Sequence, residues 1–196
     1  IYFTCPFSDI RYIRENTDAI IVTTQAMESL KPGRGMGHLL PEALYEAGAR
    51  ATFLNHAENP MTMAELAKTI ARARELGIET IACADSLAEG TAIAAFHPDI
   101  LLCEPTDLIG TGRTADDSYT TSIVAKIRSI DPTIAVMIAS GITTADDVYR
   151  VVRLGADGSG ATSGILGAPD PGQRIMEMAE AIVRAAEARQ AEESAA

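Results

Sequence analysis

Glu104 and His56 are the two side chains best suited to acid–base chemistry, and each closes a short apolar run. Glu104 follows Ile100–Cys103 and precedes Pro105, which turns it toward the mouth of whatever the strand lines. Beyond it, Asp107-Leu108-Ile109-Gly110-Thr111-Gly112 is punctuated by glycines and can hinge as a lid. A carboxylate drawn partly out of water becomes a stronger base, suited to taking a proton from carbon. The plainer reading is a strand-end carboxylate satisfied by loop N–H groups, and the proline and the glycine segment weigh against it. His56 follows Ala51–Asn55, and taken alone it reads as a hydrogen-bonded structural histidine. Its strand and that of Glu104 are two apart, which predicts backbones about 10 Å from each other. An imidazole and a carboxylate can meet on one small substrate across that gap.

Two clusters of glycine and hydroxyl residues follow the last two candidate strands, the second of them a small-residue run: Ser140-Gly141-Ile142-Thr143 and Thr162-Ser163-Gly164. Either alone fits an ordinary tight turn. Together, on consecutive strands, they fit capture of a phosphate by backbone N–H groups. The three lysines, Lys31, Lys68 and Lys126, fall in a loop and on helices, so no Schiff-base lysine projects from a strand end. His38, His56 and His97 share no metal-ligand spacing and the cysteines are dispersed, so neither a metal site nor a cofactor is expected.

The elements that must carry these residues alternate. Candidate strands are Ile1–Cys5, Ala19–Thr24, Ala51–Asn55, Thr80–Ala84, Ile100–Cys103, Ile134–Ala139 and Gly158–Ala161. Helical patterns lie between them. Thr62 with Glu65 reads as a capping box and Gly77 as a stop; Thr144 with Asp147 caps another helix that Gly155 ends. Pro171 opens the last helix, with Ile175, Met178, Ala179, Ile182 and Val183 on its core face and an alanine- and glutamate-rich tail expected to fray. Repeated βα units predict parallel pairing with right-handed crossovers. No glycine fingerprint follows the first run, where Cys5-Pro6-Phe7-Ser8 stands, so a dinucleotide fold is disfavoured. The expectation is a (β/α)8 TIM barrel as one domain, residues 1–196. Seven βα units are present, and because the chain opens on Ile1 directly in a strand, the first unit is read as absent.

Composition sets the bounds. With 47% hydrophobic and 22% charged residues the 196-residue chain can bury a core. A net charge of −11 gives no electrostatic gain on a phosphate backbone, so nucleic acid is not an expected partner. The apolar runs are far too short to span a bilayer. Three dispersed cysteines in apolar runs read as reduced thiols of a cytoplasmic protein.

The motifs together resemble the triosephosphate isomerase family in its shorter, archaeal form, and the likeness covers almost the whole chain. It is carried by Lys31-Pro32-Gly33, Gly37-His38-Leu39-Leu40-Pro41-Glu42-Ala43, Leu54-Asn55-His56-Ala57-Glu58-Asn59, Glu104-Pro105-Thr106-Asp107-Leu108-Ile109-Gly110-Thr111-Gly112, Ser140-Gly141-Ile142 and Ser163-Gly164. The resemblance implies Glu104 as the base and His56 as the neutral electrophile, a division of labour for which this family is a standard worked case. It further implies phosphate contacts from Ile109 and Gly110 on a closing lid and from Gly141, Thr162 and Ser163. The implied substrate is a small phosphorylated sugar, with dihydroxyacetone phosphate and glyceraldehyde 3-phosphate interconverted through an enediolate. The loop Gly33–Gly37 resembles one that enters a neighbouring subunit, implying a homodimer or homotetramer. The departures are Ala57 for a serine, Pro60 for a basic residue, Thr162 for an alanine, and no match to the asparagine and lysine of the family's first strand. Loss of that electrostatic group implies a rate deficit on the order of 10²–10³. Two alternatives stay open: an isomerase of another phosphorylated ketose, such as an erythrulose phosphate, and a catalytically impaired phosphate-binding paralogue.

Overall fold

The computed structural model describes residues 1–105, 116–139 and 141–195. Its strands are β1 (Tyr2–Cys5), β2 (Ile21–Thr24), β3 (Ala51–Leu54), β4 (Glu79–Ala84), β5 (Ile100–Cys103), β6 (Ala135–Ile138) and β7 (Gly158–Ser159). Between and after them run α1 (Ile10–Asn16), α2 (Pro41–Ala47), α3 (Met63–Leu76), α4 (Leu87–Ala94), α5 (Asp117–Ile130), α6 (Ala145–Arg153), α7 (Ser163–Leu166) and α8 (Pro171–Ala195). Every expected strand is present; Ile100–Cys103 keeps its expected bounds and the others are trimmed or extended by one or two residues at an end. The strand order is β1-β2-β3-β4-β5-β6-β7. A doubly wound sheet reverses its order at a switch point. This one does not, and strictly sequential parallel order with a helix in each crossover is the topology of the TIM barrel, here with seven βα units.

The chain divides into two compact units, Ile1–Cys83 with Ile93–Ile100, and Ala84–Ala92 with Leu101–Ala196. In the first, β1 to β3 pair in parallel through Thr4 with Thr23 and Thr24 with Thr52, and Phe53 of β3 lies beside Ile81 of β4. Ile10, Val22, Leu54, Leu66, Ile70 and Ile81 are buried between sheet and helices. Burial of each such side chain stabilises by about 1.5–3 kcal/mol. Thr62 Oγ1 caps α3 by accepting from Glu65 N at 3.2 Å. Glu65 does not complete the expected box; its Oε1 accepts instead from the backbone N and Oγ of Ser29, at 3.2 and 2.5 Å. Gly77 ends the helix at φ 69°, as its position required.

In the second unit Leu101, Leu102 and Cys103 of β5 are all buried. Ile123 and Ile127 of α5, Val136 and Ile138 of β6, and Val148, Val151 and Val152 of α6 form its core. Thr144 and Asp147 make the full capping box of α6. Helix α8 corrects two expectations. Its buried residues are Met178, Ala181 and Ala185, whereas Val183 is exposed. The helix packs against α6, and small residues allow the closer approach, so the alanines rather than the bulkier Val183 take the seam. Nor does the tail fray: Arg189 Nη1 donates to Val152 O at 3.2 Å and Ala156 O at 3.1 Å, and Arg153 pairs with Glu192 at 2.5 Å.

One device recurs at the N-terminal ends of the strands. Asp99, just before β5, accepts from the backbone N and Oγ1 of Thr80, both at 2.8 Å. Asp157, just before β7, accepts from Val136 N at 2.9 Å and from Arg128 Nη2 at 2.9 Å. In this topology that end serves stability, which leaves the C-terminal strand ends for chemistry.

Candidate active site

His56 stands just beyond the C-terminal end of β3, in the first unit. The residue before it, Asn55, has a φ of 56°, a left-handed conformation that turns the chain out of the strand. Its carboxamide is used on both sides: Nδ2 donates to Cys83 O at 3.1 Å, and Oδ1 accepts from Met61 N at 2.9 Å. Within the loop so closed, His56 O accepts from Asn59 N at 2.8 Å. His56 Nδ1 accepts from Glu58 N at 3.2 Å, whereas the Glu58 carboxylate stays 3.9 Å away and is solvent-exposed. A ring nitrogen that accepts carries no hydrogen, so a neutral His56 holds its proton on Nε2. That is the form able to donate a hydrogen bond to a carbonyl oxygen.

Glu104 stands at the C-terminal end of β5, in the second unit, half-buried beside Pro105. Its backbone N donates to Ala84 O at 2.8 Å, which continues the ladder one residue past the strand. The preceding Cys103 is fully buried, and burial pushes its thiol up to about 12, so it is an inert core residue. Ile109 and Gly110 lie outside the described residues.

Residues 141–143 and 162–164 come together in the second unit, and Ser140 lies outside the described residues. Gly141 takes a φ of 67°, a turn that suits glycine. Asp147 accepts from the backbone N and hydroxyl of both Thr143 and Thr144, at 2.8–3.1 Å. Burial alone would push the Asp147 carboxyl up, but these bonds outweigh it and hold it below the usual carboxylate range. Thr162 and Ser163 follow β7, where Ser159 Oγ donates to Ile138 O at 2.8 Å. A Cβ on Gly164 would lie 2.5 Å from Ile142 O and 2.7 Å from Thr143 Cα, so the two loops touch backbone to backbone at that point. Arg174 of α8 bonds Thr143 O and reaches Gly164 O at 3.4 Å, holding one loop to the other. Sequence reasoning missed Arg174 and gave Asn55 no role of its own; the only signal for the latter was its residue type, tolerant of left-handed backbone, at a strand end.

The sequence matches the triosephosphate isomerase family over residues 1–182. The chain belongs to the triosephosphate isomerase family. Among its relatives, the triosephosphate isomerase of Methanocaldococcus jannaschii is 34% identical over 175 residues, spanning 88% of this chain and 80% of that protein. That of Sulfolobus acidocaldarius is 32% identical over 191 residues, 96% of this chain and 83% of the relative. The enzyme of Methanopyrus kandleri is 35% identical over 177 residues, 88% and 78%. Membership of this family fixes the fold class independently of the strand order.

Around the site, the segment after β2 carries the loop Gly33–Gly37. Met36 at its tip is fully exposed, and His38 Nδ1 lies 2.6 Å from Glu28 Oε2 at its base. Glu28, Ser29, Leu30, Arg34, Met36 and Glu65 line an open cavity of about 450 Å3 there. Among the described residues no helix is long and apolar enough to cross a membrane.

Proposed function

We propose that this protein interconverts dihydroxyacetone phosphate and glyceraldehyde 3-phosphate, with Glu104 as the base and His56 as the electrophile. Glu104 takes a proton from the carbon beside the carbonyl, and His56 Nε2–H donates to the carbonyl oxygen as charge develops on it. The hydroxyl proton on O1 then passes to O2 by way of His56 Nε2, and the intermediate collapses as the same carboxyl group returns its proton to the neighbouring carbon. No step needs a cofactor. The phosphate is held by Gly141, Thr162 and Ser163, together with Ile109 and Gly110. Backbone N–H groups suit this role in a chain of net charge −11, because they attract an anion without adding a cation.

The observation that carries the reading is the bond from Glu58 N to His56 Nδ1, which selects the neutral tautomer with its proton on Nε2. A homodimer or homotetramer is proposed from the exposed loop at Met36, and a cytoplasmic location from three buried free thiols. The test is a comparison of kcat/KM for three-carbon and four-carbon phosphorylated substrates. The proposal expects a clear preference for the three-carbon pair; a preference for an erythrulose phosphate would overturn the substrate assignment.

A further inference from the structure

Asn55 combines three properties that a mere strand terminus does not need. It is 9% exposed, its backbone is left-handed, and its carboxamide joins two separate segments. A buried amide satisfied on both sides is worth more than a solvated one, and leaving either partner unpaired is costly. The bond to Cys83 O pins the start of the loop to the end of β4. The bond from Met61 N pins its finish, one residue before the Thr62 cap of α3. Between those two points lie both His56 and the Glu58 N–H that His56 Nδ1 accepts. The two carboxamide bonds thus bracket the turn, closed by Asn59 N donating to His56 O, that presents Glu58 N–H to the ring.

We infer that Asn55 is a positioning residue that fixes the ring orientation and tautomer of His56 by bridging the carbonyl of Cys83 and the amide of Met61. The inference rests on the reading of His56 as the neutral electrophile. Aspartate cannot replace the asparagine, because it has no N–H for Cys83 O and sets a negative charge against that carbonyl. Glycine supplies the left-handed backbone but neither bond.

The test uses the full chain with 15N-labelled histidine. Long-range 1H–15N spectra report the tautomer and titration midpoint of each imidazole, with His56 assigned through His56→Gln. The inference expects one Nε2–H tautomer for His56 in the unsubstituted protein. Asn55→Gly and Asn55→Asp should each give a tautomer mixture, with the His38 and His97 signals unchanged as evidence of intact folding. The same variants should lower kcat about 10- to 100-fold with KM little changed. A folded Asn55→Gly protein that keeps the single His56 tautomer overturns the inference and leaves the electrophile reading intact. A tautomer mixture already present without substitution overturns both. A tautomer lost in the Asn55 variants, with isomerase activity surviving His56→Gln, supports the inference and removes the electrophile reading.

Discussion

Alanine at Gly164 tests whether the spacing of the two glycine–hydroxyl loops matters to phosphate. The added Cβ would lie 2.5 Å from Ile142 O, 2.7 Å from Thr143 Cα and 3.3 Å from Ile142 C. An ordinary C···O contact is no closer than about 3.3 Å, so one loop must retreat by about 0.8 Å. All three neighbours are backbone, and no side chain can swing aside to absorb the clash. Overpacking of this kind costs about 1–3 kcal/mol, which in a chain of this size lowers Tm by about 2–12 °C. Displacement near 1 Å of groups that hold a substrate costs up to about 100-fold. The expected outcome of Gly164→Ala is therefore a fall in kcat/KM of about 10- to 100-fold, carried mainly by KM. Competitive inhibition by inorganic phosphate should weaken in parallel. Gly160→Ala is the control, because among the described residues its Cβ would meet Met137 Cε at 3.9 Å and nothing nearer. Steady-state kinetics with phosphate as inhibitor, beside thermal melts, decide the matter. Equal phosphate inhibition in Gly164→Ala and Gly160→Ala would refute the reasoning.

Asp147→Asn should destabilise the protein at neutral pH, since the carboxylate is held below its ordinary range by Thr143 and Thr144. A depressed folded-state value means that the stabilisation is complete above the unfolded value and fades as pH falls through the folded one. The Tm difference between the two proteins should accordingly shrink below about pH 4, as thermal melts across pH 2–7 will show. Arg189→Ala removes two bonds to the carbonyls at the end of α6, at Val152 and Ala156, and should cost about 1–2 kcal/mol in urea unfolding without altering KM.

Local rules found the elements, and long-range contacts decided the details. Apolar runs placed six strands and a run of small residues the seventh, and the box of Thr144 with Asp147 formed as read, because both partners sit within one turn. Thr62 with Glu65 formed only half its box, since Glu65 found Ser29, 36 residues away, a partner no local pattern reveals. The buried face of α8 departs from the local pattern for a similar reason. Hydrophobicity favours Val183, but a close seam against α6 favours Ala181 and Ala185. His56, Glu104, Gly141, Thr162 and Ser163 were singled out because chemistry and turn type show in residue identity at strand ends. Arg174 did not stand out, because on a helix it reads as a solvated cation until the carbonyls of Thr143 and Gly164 are seen beside it.

Proton exchange from carbon reaches the central claim most directly. Dihydroxyacetone phosphate is incubated with the protein in D2O, and loss of the C1 proton signal is followed by 1H NMR for the unsubstituted chain and for Glu104→Gln. Deuterium should enter at C1 with the carboxylate present, and the rate should fall about 10²- to 10⁴-fold in the glutamine variant. Exchange at equal rates in both proteins would contradict the assignment of Glu104 as the base.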